Sequence, residues 1–151
     1  MMTTLKPGDA APQFSALDQD GKQHTLADYQ GKKLDVYFYP KANTPTCTVE
    51  ACNLRDNYHQ FLAKGYAILG VSADSAKAQA NFKKKYDLPF PLLADENHAV
   101  INAFGVWGPK KFMGKVFDGI HRITFVIDEN SKIEQVITNV KSKEQTAQIL
   151  K

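Results

Sequence analysis

The sequence predicts an α/β fold in which helices flank a central mixed β-sheet on both faces. Two short apolar runs, LDVYFY at residues 34–39 and YAILGVS at residues 66–72, are typical of buried strands. Segments with helical periodicity follow each run, and two further strand-like segments, HRITFVID and KIEQVIT, come late in the chain. Strands that alternate with helices early and form a hairpin late favour a mixed sheet between helical layers.

The early strands are bounded by turn residues. FSALDQDGKQHTL at residues 14–26 is typical of an N-terminal β-hairpin with Asp20 and Gly21 at its turn. Residues 34–39 lie between Gly31 and Pro40, which predicts a short central strand. The next apolar run, at residues 66–72, predicts a second buried strand.

The helices follow from apolar periodicity. A stripe of residues spaced three and four apart predicts one helix over residues 45–64, ended by Gly65. Its members are Cys47, Ala51, Leu54, Tyr58 and Phe61. Further helices are expected at residues 75–87, near residues 96–104 and at residues 141–150, and the late strands are expected to pair as a hairpin joined at Glu129 and Asn130.

Composition and charge exclude several classes of protein. The chain has 151 residues, 43% of them hydrophobic, which suits a single domain spanning residues 1–151. The formal net charge is +3, and the one tight basic run, at residues 83–85, lacks interleaved aromatic residues. We expect that run to be a solvated helix face, not a nucleic-acid surface. No segment has the apolar character of a signal peptide or membrane span, so a cytoplasmic protein without membrane contact is expected.

Cys47 lies where a strand, a loop and a helix meet, in the run PKANTPTCTVEAC. Pro40 has no amide hydrogen and ends the strand, while Thr44 and Pro45 are typical of the N-cap and first positions of a helix. Unpaired amides and the positive end of the helix dipole favour an anion in the first turn. We therefore expect Cys47 to form a thiolate, the nucleophilic form of cysteine.

Cys52 is the second of the two cysteines in the chain. Five residues on an intact α-helix separate two Cα atoms by roughly 8–9 Å, whereas a disulfide requires about 4.4–6.8 Å. A bond between Cys47 and Cys52 therefore requires the first part of the helix to unwind. We predict a redox switch coupled to local unfolding.

Other interpretations of these residues stay open at this point. Cysteine in a reducing compartment is commonly catalytic, redox-active or metal-binding, and a buried cysteine also serves as a small hydrophobe. Cys47, Cys52 and His59 lack the paired short spacing of zinc ligands, and no C-x-x-C pair of the thioredoxin type is present. Glu50 is expected on the helix surface, with a possible place beside the site.

The motif PKANTPTC resembles the peroxiredoxin active-site pattern P-x-x-x-T-x-x-C. The second cysteine five residues later is similar to the bacterioferritin comigratory protein or peroxiredoxin Q subgroup, as are KPGDAAPQFSALDQDGK, GVSADS, KYDLPFPLLAD, FGVWG and GIHRITFVID. Thr46 is a departure, since glycine commonly precedes the cysteine in that subgroup. The likeness covers nearly the whole chain.

The resemblance implies a thioredoxin-like fold and thiol-dependent peroxide reduction, with no metal, haem or flavin. It implies that Cys47 is the peroxidatic nucleophile, that Cys52 is the resolving cysteine, and that Pro40, Thr44 and Arg122 are their companions. Taken alone, Arg122 would be a surface or edge-strand cation. With the motif, it is expected to donate to the reacting oxygens and to stabilise the thiolate.

The implied partners are hydrogen peroxide or an organic hydroperoxide as substrate and thioredoxin, or else glutaredoxin, as reductant. A monomer is expected, because both cysteines lie in one chain. Two alternatives from other classes are a redox sensor or chaperone that uses the same disulfide without turnover, and a structural binding module with unreactive cysteines.

Overall fold

The computed structural model describes residues 3–151, in which nine strands and five α-helices are formed. The strands are β1 (Ser15–Leu17), β2 (Gln23–Thr25), β3 (Lys33–Phe38), β4 (Tyr66–Ser72), β5 (Leu92–Ala94), β6 (Trp107–Phe112), β7 (Lys115–Ile120), β8 (Thr124–Ile127) and β9 (Ile133–Ile137). The helices are α1 (Pro45–Asp56), α2 (Tyr58–Ala63), α3 (Ala76–Lys85), α4 (Ala99–Phe104) and α5 (Gln145–Leu150). Two 3₁₀ helices, Leu26–Tyr29 and Ser142–Glu144, complete the list.

The central sheet has five strands in the order β5-β4-β3-β8-β9. β4 runs parallel to β3 and β5, whereas β8 runs antiparallel to β3 and β9. The expected mixed sheet is therefore confirmed. β5 was not predicted as a strand, because a segment of three residues after a proline is too short to show the periodicity of a strand.

The sheet is buried on both faces because β3 sends alternate side chains to opposite sides. Leu34, Val36 and Phe38 belong to one apolar cluster, which also contains α4. Tyr37 and Tyr39 belong to the other, together with residues of α1, α3 and α5. β3 therefore lies in the middle of the sheet and is covered on both faces, as its continuous apolar run indicates.

Two of the three hairpins were predicted. β1 and β2 pair around Gly21, whose φ of +79° suits the turn, and β8 pairs with β9. The β6–β7 hairpin was not predicted, because its strands are rich in lysine and glycine and pair only with each other. Near its tip it exposes the apolar side chains of Phe112, Met113, Val116 and Phe117.

The prediction of one continuous helix over residues 45–64 is wrong in one respect. The chain leaves helical geometry at Asn57 (φ −113°, ψ 13°), so that α1 and α2 are separate. The Asn57 side chain donates to the carbonyl of Asn53 at 2.8 Å, and such a bond to the backbone competes with helix propagation. Gly65 (φ +78°) ends the second helix, as predicted.

The remaining helices lie close to their predicted positions. Ser75 caps α3 by accepting from the amide of Ala78 at 3.1 Å. The segment predicted as a helix at residues 141–150 is divided into the 3₁₀ helix Ser142–Glu144 and α5. Within residues 3–151, no helix has the length and apolar character needed to cross a membrane.

Candidate active site

The loop between β3 and α1 carries the predicted site and is held in place by its backbone. Pro40 is half-buried just beyond β3 and lacks the amide hydrogen that would extend the strand. The amide of Ala42 donates to Asp74 Oδ2 at 2.7 Å, and Asn43 takes the left-handed conformation with φ +61°. These contacts fix the direction in which α1 begins.

Thr44 occupies the N-cap position, as predicted, but its hydroxyl acts differently. Its carbonyl accepts the first helical bond, from the amide of Thr48 at 2.9 Å. Its side chain makes no cap bond and instead donates to the carbonyl of Lys41 at 2.9 Å. Thr44 is therefore the N-cap by position and backbone only, because the loop brings the Lys41 carbonyl within reach of its hydroxyl.

Cys47 lies in the first turn of α1 and is only 2% exposed. Arg122 Nη2 donates to Cys47 Sγ at 3.1 Å across 75 residues of sequence. This contact arises because β8 runs antiparallel to β3, pairing Thr124 with Tyr37 near the end where α1 begins. The structure thus brings together two of the residues that the sequence singled out. A guanidinium at this distance offers the sulfur a permanently charged hydrogen-bond donor.

Glu50 is a functional candidate that the sequence interpretation placed on the helix surface. It is instead fully buried, and Arg122 Nη1 donates to its Oε1 at 2.6 Å. Burial raises the pKa of Glu50 to about 7, and the charge of Arg122 offsets part of that rise. Its position three residues after Cys47, on the same buried stripe of the helix, was the signal that could have identified it.

Asp35 is a second buried acid, on β3, and neither of its carboxylate oxygens has a hydrogen-bond partner among residues 3–151. Burial raises its pKa well above the usual range, and the charge of Glu50 raises it further. Within the described part of the chain, Glu50 Oε2 is also without a partner, as is the hydroxyl of Tyr37, which lies on the same face of β3 as Asp35. Arg122 therefore bridges the thiol and the nearer acid, Glu50, and Glu50 in turn lies close enough to Asp35 to raise its pKa.

Lys110, on the β6–β7 hairpin, is a further cation near the site that the sequence did not indicate. Its Nζ donates to the carbonyl of Ile120 at 2.8 Å. Burial lowers the pKa of Lys110 and the charge of Arg122 lowers it further, whereas the charge of Cys47 raises it. The unpredicted hairpin thus contributes to the electrostatics of the site.

Cys52 is half-buried on the same helix, and both cysteines are free thiols. Because α1 runs unbroken from Pro45 to Asp56, Cys52 lies five positions after Cys47 on one continuous helix. Regular helix geometry places their Cα atoms roughly 8–9 Å apart, beyond the range of a disulfide. In this conformation the pair cannot bond. Within residues 3–151, no group of three or more His, Cys, Asp or Glu side chains is arranged to hold a metal ion.

The chemistry available to this arrangement is that of a thiol-based oxidoreductase. A buried cysteine in a first helical turn is bonded to a permanent cation, which also has donors to offer to a developing negative charge. A second thiol lies on the same helix and can reach the first only after a conformational change.

Known proteins identify the family. Residues 7–136 match the AhpC/TSA family. Peroxiredoxin Bcp of Escherichia coli (strain K12) is 53% identical over 141 residues, which cover 93% of this chain and 90% of that protein. The chain therefore belongs to the AhpC/TSA family and is a peroxiredoxin, a thiol peroxidase, of the Bcp type.

Solved structures agree with this assignment. The bacterioferritin comigratory protein of Xanthomonas campestris, from work on its alkyl peroxide reduction activity, is 34% identical with a TM-score of 0.87, over 98% of this chain and 94% of that chain. A PrxQ mutant of Xylella fastidiosa is 30% identical with a TM-score of 0.90, over 98% and 94% of the two chains. The expected thioredoxin-like fold is confirmed.

Proposed function

We propose that Cys47 is the peroxidatic nucleophile and that the protein reduces hydrogen peroxide and organic hydroperoxides. The observation that carries the proposal is the hydrogen bond of 3.1 Å from Arg122 to the buried sulfur of Cys47. A thiolate is the nucleophilic form of cysteine, and a neighbouring cation favours that form. The work on alkyl peroxide reduction by the X. campestris relative supports organic hydroperoxides as substrates.

In the first step, the Cys47 thiolate attacks one oxygen of the peroxide. The S–O bond forms as the O–O bond breaks, the sulfur is oxidised to a sulfenic acid, and the leaving oxygen takes a proton to become water or an alcohol. Arg122 donates to the oxygen on which negative charge develops. Thr44 can orient the peroxide once its hydroxyl turns from the Lys41 carbonyl, and Pro40 limits the entry of water.

In the second step, Cys52 is the resolving cysteine. Its thiol attacks the sulfenic sulfur of Cys47, a disulfide forms, and the oxygen leaves as water. Because the intact helix holds the two residues too far apart, this step requires α1 to unwind locally. The supporting sequence feature is the presence of moderate helix formers, Thr48, Val49 and Asn53, in that part of the helix.

In the third step, an external dithiol reduces the disulfide and restores both thiols. Peroxiredoxin homologues imply a reductant of the thioredoxin type. We propose thioredoxin itself, with glutaredoxin as the second choice. We further propose that the protein acts as a single-domain monomer in the cytoplasm, since both cysteines of the cycle lie in one chain.

The test is consumption of NADPH in the presence of thioredoxin, thioredoxin reductase and hydrogen peroxide. The wild-type protein should complete many turnovers, and Cys47→Ser should complete none. Cys52→Ser should also lose NADPH-linked turnover, but stopped-flow measurement of Cys47 oxidation should distinguish it from Cys47→Ser, because it keeps the first oxidation.

Loss of hydrogen peroxide, followed directly with dithiothreitol in place of the thioredoxin system, separates two failures. Turnover with dithiothreitol alone would reject thioredoxin as the reductant and keep the peroxidase. Stoichiometric oxidation without turnover by either reductant would reject the enzyme in favour of a redox sensor.

A further inference from the structure

Asn53, the residue that follows Cys52 on α1, joins that helix to the C-terminal segment. Its side-chain Nδ2 donates to the carbonyl of Lys143 at 2.9 Å, and its Oδ1 accepts from the amide of Thr146 at 2.9 Å. Its backbone carbonyl accepts from the Thr146 hydroxyl at 3.3 Å. One residue of α1 thus makes three hydrogen bonds to the segment at residues 143–146.

These bonds satisfy groups that the C-terminal segment cannot satisfy itself. Thr146 is the second residue of α5, and its amide is one of the unpaired donors at a helix start. Glu144, at the N-cap position, makes no side-chain cap bond. The Asn53 amide therefore caps α5 from a different helix, and loss of the contact leaves both helices with unpaired polar groups.

The surface around this contact is open on both sides. One groove of about 380 Å³ separates the first turns of α1, at Pro45, Thr46 and Val49, from residues 141–144. A second, of about 470 Å³, lies between Asn53 and Asn57 on one side and α5 on the other. The first two turns of α1 therefore have free space beside them. The next part of the helix is fixed to the C-terminal segment by the polar contact at Asn53.

We propose that Asn53 is a latch that holds α1 closed and thereby sets how fast Cys52 reaches Cys47. The inference rests on the proposed function, in which the disulfide forms only after α1 unwinds. Since Asn53 is adjacent to Cys52, its three bonds to residues 143–146 restrain the backbone that must move. The side-chain hydrogen bonds at Asn53 join it to Lys143, Thr146 and Asn57, not to Cys47 or Arg122, so it is a positioning residue.

The latch decides a competition at the Cys47 sulfenic acid. Attack by the Cys52 thiol releases water and forms the disulfide, whereas attack on a second peroxide oxidises the sulfur to sulfinic acid and releases water or an alcohol. If opening of α1 precedes resolution, the rate of resolution scales with the open population. A tighter latch then makes the enzyme more sensitive to over-oxidation.

The test is Asn53→Ser, since serine has a helix propensity close to that of asparagine but is too short to span both partners. The matched control is Asp128→Ala, which removes a half-buried side chain that accepts from two backbone amides in the β8–β9 turn. Hydrogen exchange of the amides at residues 48–56 measures opening in the reduced protein. Intact mass measures the sulfinic acid formed at rising hydrogen peroxide with saturating reductant.

Asn53→Ser should speed exchange at residues 48–56 on the order of tenfold, as expected for two net hydrogen bonds lost. It should raise the peroxide concentration that half-converts Cys47 to sulfinic acid by a similar factor. Asp128→Ala should change neither by more than about twofold.

Unchanged exchange in Asn53→Ser would overturn the latch, as would an equal increase in Asp128→Ala. Faster exchange with unchanged over-oxidation would overturn its role in resolution. Exchange does not depend on peroxide chemistry, so a wild-type protein without NADPH-linked turnover would reject the proposed function through a separate measurement.

Discussion

Glu50→Gln tests whether ionisation of the buried acid beside Arg122 destabilises the folded protein as pH rises. Glutamine is nearly isosteric and keeps an oxygen that accepts from Arg122 Nη1, so the substitution removes the ionisable group and little else. In the folded protein, burial raises the pKa of Glu50 from 4.5 to about 7. Between these two values, the folded state binds a proton that the unfolded chain has lost.

The sign of the effect follows from this difference in proton binding. The stability associated with protonated Glu50 is fully present below pH 4.5 and is lost as pH rises through about 7. One pKa unit corresponds to about 1.4 kcal/mol, so the full loss is about 3 kcal/mol at most. Asp35 is present in both proteins, and its burial, the larger cause of its raised pKa, acts in both; the smaller cause, the charge of Glu50, is lost in the variant and adds to the same pH-dependent difference.

The assay is urea unfolding of the reduced wild-type and Glu50→Gln proteins at pH 4.5 and pH 8. The unfolding free energy of the variant, relative to the wild type, should rise by about 2–3 kcal/mol between the two pH values. Glu129→Gln, in an exposed turn, should leave the wild-type profile unchanged. Parallel profiles for wild type and Glu50→Gln would refute the burial argument.

Three further predictions concern the site. Arg122→Met should slow oxidation of Cys47 by roughly 10- to 150-fold in stopped-flow measurements, since a hydrogen bond to a charged group contributes about 1.5–3 kcal/mol; an unchanged rate would remove Arg122 from the chemistry. Cys52→Ser should keep the first oxidation within about twofold while abolishing thioredoxin-linked turnover, and a comparable loss in both steps would contradict the assigned roles. In urea unfolding, the stability of Asp35→Asn relative to the wild type should be greater at pH 8 than at pH 4. Burial raises the pKa of Asp35, so the stability associated with its protonated form falls as pH rises. A difference between the two proteins that does not change with pH would count against this reasoning.

The elements that the sequence predicted best are those specified by neighbouring residues. The start of α1 follows from Thr44 and Pro45, and the first hairpin follows from its Asp-Gly turn, because caps and turns depend on local backbone chemistry. The central strand follows from its apolar run, since only a strand buried on both faces is apolar throughout.

The elements that were missed depend on contacts that are close in sequence but that the residue types alone do not single out. The strands of the β6–β7 hairpin pair only with each other and lie outside the central sheet, so their sequences lack the apolar run of a buried strand. The break at Asn57 results from a side-chain bond to the Asn53 carbonyl. The hydroxyl of Thr44 could bond in several ways, and the loop conformation decided among them.

By itself, the sequence singled out the residue that we propose as the nucleophile: a cysteine three positions after a threonine, in the first turn of a helix that follows a buried strand. Only the tertiary structure decided what surrounds that cysteine. The contact of Arg122 with Cys47, the burial of Glu50 and the bonds from Asn53 to residues 143–146 join segments distant in sequence. Their geometry depends on how the sheet orders its strands and how the helices pack on it, and no local pattern encodes that arrangement.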